Sequence, residues 1–219
     1  MGTIRDRVIA IAGIACVSAL LSCGGSGDST TAPSTPTYTL TTKSQLFSDL
    51  TKAFNRHDPA AYAKLLDHNF VFYLSAFDQT TGAEWDRATE VDYTSKLLDL
   101  DYDGSLQCDS VYFAFHYDLP YIAYHVFTPA SAPNESWYQT TLSCSFLFHF
   151  GLGVTFGSAS NNTMTFVIRN AGTESAPVWK FVEIHDNGSP ELGSGGKDGD
   201  VYLMSLGRVK ALYAPQDSP

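Results

Sequence analysis

The side chains that could do chemistry here are few and scattered. Tyr73, Trp85, His116, Tyr124 and His185, with His149, form an aromatic and histidine set. Aromatic walls broken by a few polar groups are how small-molecule pockets are built. An imidazole among them could act as a base near neutral pH. The same residues also suit an aromatic sheet core with histidines at strand ends, because aromatic side chains are strong strand formers. Both readings stand at this level, and no residue is singled out as catalytic. Period-two alternation places Cys108, Ser110, Tyr112, Ala114 and His116 on one strand face. It places His149 opposite the face that carries Leu142, Cys144, Phe146, Phe148 and Phe150.

A second constellation is acidic. Asp99, Asp101 and Asp103 alternate ahead of Gly104, with Leu106 beyond. That is the opening of a calcium loop, in which alternate carboxylates supply hard oxygens and glycine makes the turn. Ser110 stands where the closing glutamate belongs, and a strand follows instead of a helix, so a complete EF-hand is excluded. A calcium ion held in another way, or a solvated acidic turn, are the alternatives; no other cofactor is expected. Asp67 and His68 form a third titratable pair, with Asp67 expected to end a helix in solvent. The sequence carries no phosphate-cradling loop before a helix, no nucleophile elbow and no zincin-type helix motif.

The elements that must position these residues follow from pattern. Leu46, Phe47, Leu50, Ala53 and Phe54 share one face of a helix predicted over Ser44 to Arg56. Asp58 as N-cap and Pro59 in the first turn restart a second helix. Asn69 to Ser75 reads as a strand. Thr81 and Glu84 read as a capping box opening a third helix through Trp85, Ala88, Val91 and Leu98. Strand-like runs then dominate: Leu106–His116, Ile122–Thr128, Tyr138–Phe150, Met164–Arg169 and Val178–His185. Gly151 to Gly157 reads as a bend or bulge. Gly188 to Asp200 reads as a mobile loop, and Val201 to Tyr213 as a late strand or short helix. Helices first and strands after imply an α+β domain, with helices on one face of an antiparallel sheet.

At the start of the chain, Arg5 and Arg7 precede the apolar run Val8 to Leu21, the layout of a secretory signal. Leu20-Leu21-Ser22-Cys23 resembles the lipobox of bacterial lipoproteins. The resemblance implies cleavage before Cys23, lipidation of Cys23 and anchoring in the cell envelope. Gly24 after the cysteine implies the outer membrane by similarity to enterobacterial sorting. Gly24 to Thr37 is a Gly/Ser/Thr/Pro tether. The chain thus divides into a signal peptide (1–22), a lipidated cysteine and tether (23–38), a domain (39–187) and a Gly-rich loop with a C-terminal extension (188–219). The formal charge of −10 disfavours nucleic acid and anionic headgroups as partners, so membrane contact would come through the lipid. In an oxidising envelope the remaining Cys108 and Cys144 are expected to pair, the alternative being two buried free thiols.

Three stretches carry a second resemblance: Leu46 to Asp58, Tyr62 to Phe72, and Trp179-Lys180-Phe181-Val182-Glu183-Ile184-His185. In this order they resemble the opening helix, the helix-to-strand passage and the closing strand of the NTF2-like (SnoaL-like) superfamily. That resemblance implies a cone, three N-terminal helices packed on a curved antiparallel sheet around a deep pocket. Tyr73, Trp85, His116, Tyr124 and His185 would line the pocket. Its members include binders, dimerisation modules and cyclase or isomerase enzymes with a His or Asp base. A module binding a small apolar ligand or an envelope protein, and a homodimer through the open sheet face, are the expectations. An enzyme, or a structural module with a filled cone, are the alternatives.

Overall fold

The computed structural model describes residues 38–76, 83–103, 106–116, 121–151, 153–158, 162–188 and 201–214, with the backbone alone at 201. The elements run α1 (Lys43–Asn55), α2 (Pro59–Leu65), β1 (Leu66–Tyr73), β2 (Glu84–Asp86), α3 (Arg87–Leu98), β3 (Cys108–Phe115) and β4 (His125–Phe127). They continue β5 (Trp137–Phe150), β6 (Val154–Gly157), β7 (Thr163–Asn170), β8 (Trp179–Asp186), β9 (Val201–Leu203) and α4 (Leu206–Ala211). Cys23, the signal, the tether through Thr37, Thr81, Gly104 and residues 189–200 lie outside the described residues. No described helix is long and apolar enough to cross a membrane.

The first two helices form where the caps place them. Thr42 Oγ1 accepts the Gln45 N–H at 3.1 Å and Asp58 Oδ1 accepts that of Ala61 at 2.8 Å, with Pro59 in the first turn of α2. Between them His57 takes φ 52°, and the Asp58 and His57 amides return to the Ala53 and Phe54 carbonyls. This left-handed residue ends α1 in a Schellman turn. The third helix starts later than the capping box implies: Asp86 caps it, accepting the Thr89 N–H at 2.9 Å. Glu84 and Trp85 lie in β2, which pairs with β1.

The sheet runs β2-β1-β8-β7-β5-β6-β9, with β3 and β4 also on β5. Strand β5 organises it. Its first half pairs with β4 and β7 and its second half with β3 and β6. The expected antiparallel sheet is mixed in fact, because β1 with β8 and β6 with β9 run parallel. The bend expected over Gly151 to Gly157 is a tight turn between β5 and β6, where Gly153 takes φ 74° and its N–H donates to the Phe150 carbonyl at 2.9 Å, and Val154–Gly157 beyond it is a strand. The helices cover one face, and α1 enters it deepest. Phe47 meets Phe115, Phe166 and Phe181 edge-on, while Phe54 stacks on Phe113 at 5.0 Å. The space inside the cone is therefore filled by phenylalanine rings, each burying a large apolar area.

Two expectations fail through register. A β-bulge separates Cys108 from Ser110, so the alternation changes phase there. Cys108 and Phe113 point inward, while Ser110 and Tyr112 are exposed. The five-residue face expected from Cys108 to His116 does not exist. Nor is there a disulfide: both thiols are free and buried. Cys108 pairs with Phe150 and Cys144 with Phe115, at opposite ends of one ladder. Six residues of strand separate them by about 20 Å, against the roughly 7 Å that a bridge tolerates.

Candidate functional site

The five residues expected to line one pocket do not converge. Trp85 is a core residue, stacked on Phe72 at 5.5 Å and edge-on to Tyr93. Tyr73 and His185 are cross-strand partners on the outer face, since their neighbours Phe72 and Ile184 point inward. Their rings stack at 4.3 Å, and His185 Nε2 lies 2.8 Å from Glu183 Oε2. His116 is exposed at the end of β3 against Ser145 Oγ. His149 faces solvent, as alternation implies, 2.9 Å from Thr155 Oγ1.

Tyr124 lines a cleft. An open cleft of about 980 Å³ runs between Tyr121–His125 and Gln139–Leu142. It arises where β5 changes partners. On this edge β4 pairs with residues 137–139 and β3 with 144–150, so among the described residues no strand pairs with 140–142 there. Tyr124 forms a wall with its hydroxyl buried and without a partner, and burial pushes that phenol up to about 12. Behind it Lys43 Nζ lies 3.5 Å from the centroid of Tyr138 and 4.9 Å from those of Tyr124 and Trp179. Burial lowers the Lys43 pKa, and the three π faces compensate the ammonium.

Asp99, Asp101 and Asp103 do not converge: no cluster of three metal-binding side chains is found among the described residues. Asp99 Oδ1 instead accepts the Asp101 N–H at 3.0 Å, an Asx turn on the surface. Asp67 is likewise not a solvated helix end. It is buried in β1, where Arg169 Nε donates to Oδ2 at 2.8 Å and His68 Nδ1 lies 2.9 Å from Oδ1. Burial pushes its pKa up, but Arg169 and the Asn69 amide outweigh it and hold the carboxylate low. Arg169 also grips both oxygens of Glu135 at 3.0 Å.

One cluster went unread in the sequence. Inside the cone, Lys210 of α4 forms an ion pair with Glu90 of α3, and the Tyr62 hydroxyl donates to the same carboxylate. Thr94 Oγ1 donates to it at 3.0 Å. Burial, followed by the Glu90 charge, drives the Tyr62 phenol well above its ordinary value. The signal was available: Glu90, Thr94, Leu97 and Leu98 are the buried stripe of α3. Two polar members make that stripe irregular to the eye, and Lys210 sits within an apolar run.

No family model matches the chain, and no curated protein matches it. It is similar in fold to solved structures. An NTF2-like superfamily protein from Salmonella enterica serovar Typhimurium shares 13% identity over 70% of this chain and 94% of the other, with a TM-score of 0.42. An NTF2-like protein of unknown function in nutrient uptake from Rhodospirillum rubrum shares 14% over 66% and 95%, at 0.41. An uncharacterized protein with a cystatin-like fold from Caulobacter vibrioides shares 15% over 66% and 84%, at 0.38. At these identities and scores nothing about ligand, partner or activity passes to this chain.

Proposed function

We propose that this chain is a bacterial envelope lipoprotein, anchored in the outer membrane through Cys23, whose domain binds a small apolar molecule in the cleft beside Tyr124. The cleft carries the reading. Its volume is that of a ligand site, and its walls are the side chains of Tyr121, Ile122, Tyr124 and Leu142. The filled cone argues against the deep pocket that a cyclase or isomerase of this architecture would use. A lipid anchor and a tether suit a binding role, because they hold the domain near the membrane while leaving it free to orient.

Two measurements test the two halves. Replacing Cys23 by serine should release the protein from the membrane fraction and abolish incorporation of labelled fatty acid; retention of label would remove the anchor. Titration of the full chain with a nonpolar fluorophore should saturate. Tyr124→Ala should weaken that binding about tenfold, the loss of one aromatic contact. Equal binding by both proteins would exclude the cleft, and a dimer of unchanged affinity in native mass spectrometry would shift weight to a protein partner on the outer sheet face.

A further inference from the structure

The polar cluster inside the cone has the make-up of a receptor for an ammonium ion, and the protein fills it with its own side chain. Glu90 and Lys210 are both fully buried. Oε1 of Glu90 accepts from Lys210 Nζ, from the Tyr62 hydroxyl and from Thr94. Oε2 is buried with no hydrogen-bond partner, so the carboxylate retains unused acceptor capacity. Around the cation stand three aromatic faces, Phe72 at 4.5 Å, Tyr62 at 5.4 Å and Phe54 at 5.8 Å from Nζ to centroid. A carboxylate with converging π faces is the chemistry that recognises alkylammonium groups.

The occupant is held less firmly than its burial implies. Desolvation of both charges offsets most of the Coulomb attraction in a buried pair. The helix that delivers Lys210 has only six residues, so its own hydrogen bonds hold it weakly. Its docking depends on Leu206 and Val209 in the core, on Asp186 Oδ2 accepting the Gly207 N–H at 2.7 Å, and on the Tyr213 hydroxyl reaching the Leu106 carbonyl at 2.6 Å. Segments of this kind open at lower cost than the core they cover.

We propose that Glu90, Tyr62 and Thr94, walled by Phe72, form an ammonium site in the cone, that Lys210 is its internal occupant, and that a primary alkylammonium ligand takes its place when α4 moves out. This site is separate from the cleft at Tyr124 and does not rest on that reading.

The test is chemical rescue in the full chain. Lys210→Ala removes three methylenes and the ammonium, which n-propylammonium restores. The variant should melt lower than wild type, and n-propylammonium should raise its Tm by several degrees in a saturable manner, as ligand binding to the native state requires. 1-Propanol and sodium chloride should not, and Glu90→Gln in the same background should abolish the response. If Lys210→Ala does not fold, its refolding yield with n-propylammonium against 1-propanol gives the same reading. Equal rescue by 1-propanol, or none by either, would overturn the site. In the wild-type chain, n-propylammonium should accelerate amide exchange across 206–211 while leaving α1 unchanged. Unaltered protection of α4 would overturn the exchange of occupants.

Discussion

The carboxamide of Asn55 pairs with both backbone groups of Phe113. Its Nδ2 donates to the Phe113 carbonyl at 2.9 Å, and its Oδ1 accepts the Phe113 N–H at 2.7 Å. The last residue of α1 thereby serves the free edge of β3 as a neighbouring strand would. This fixes the helix over the ladder that carries Phe113 and Phe115. Asn55→Ala leaves two part-buried backbone groups unpaired and should cost about 2 kcal/mol in urea unfolding. Asn55→Asp keeps the acceptor but loses the donor, and should be no better. A loss within error for both would mean that water replaces the amide.

The two cysteines should behave as inert thiols. Burial pushes both Cys108 and Cys144 up to about 12, so neither forms thiolate at neutral pH. Peptide mapping after alkylation should find both unmodified in the native protein and both modified in denaturant without reductant. Recovery of a Cys108–Cys144 linked peptide would contradict the register of β3 on β5.

His57 makes stability fall on mild acidification. Burial lowers its pKa from 6.5, against a smaller opposing effect of a backbone hydrogen bond with Leu98. Asp92, Lys96, Asp99 and Asp101 line the same recess. The unfolded chain therefore takes up a proton as pH falls through the unfolded value, while the folded protein resists it. Stability is lost in that direction. Asn tolerates the left-handed backbone and does not titrate. The stability of wild type relative to His57→Asn should decline between about pH 7.5 and 5.5. A difference independent of pH would place the imidazole in water.

At Asp67 a cationic partner outweighs burial and sets the direction of the shift. Arg169→Ala leaves a buried carboxylate without its cation and should cost about 3 kcal/mol, whereas Glu135→Gln removes a more exposed partner and should cost far less. The Asp67 contribution is present above its unfolded pKa and is lost as pH falls through the lowered folded value. Equal losses in the two variants would show that Asp67 is solvated.

Tyr124→Phe should stabilise the unliganded protein by about 1 kcal/mol, because it removes a buried hydroxyl that has no partner. A loss of stability would mean that the hydroxyl is bonded in solution.

Local structure was legible where its determinants are local. Thr42, Asp58 and Pro59, with the stripe from Leu46 to Phe54, specify α1 and α2 within a few residues. The alternation in β5 specifies its inner face from Leu142 to Phe150. The α+β order follows from these runs. Cross-strand relations are not written in that way. The bulge after Cys108, the parallel pairing of β1 with β8 and the diversion of Trp85 into β2 arise when distant strands compete for edges. A single-residue change of phase there left Ser110 and Tyr112 in solvent, and the antiparallel register of β3 on β5 placed the two cysteines at opposite ends of a ladder. Sequence alone thus determined the first two helices, the inner face of the long strand and the acidic balance of the chain. Only the tertiary structure decided that the cone is filled, that Tyr124 stands apart from Tyr73 and His185, and that Glu90 meets Lys210. The reason is physical: caps and periodicity act over one or two turns, whereas a buried ion pair exists only once packing has excluded water around both partners.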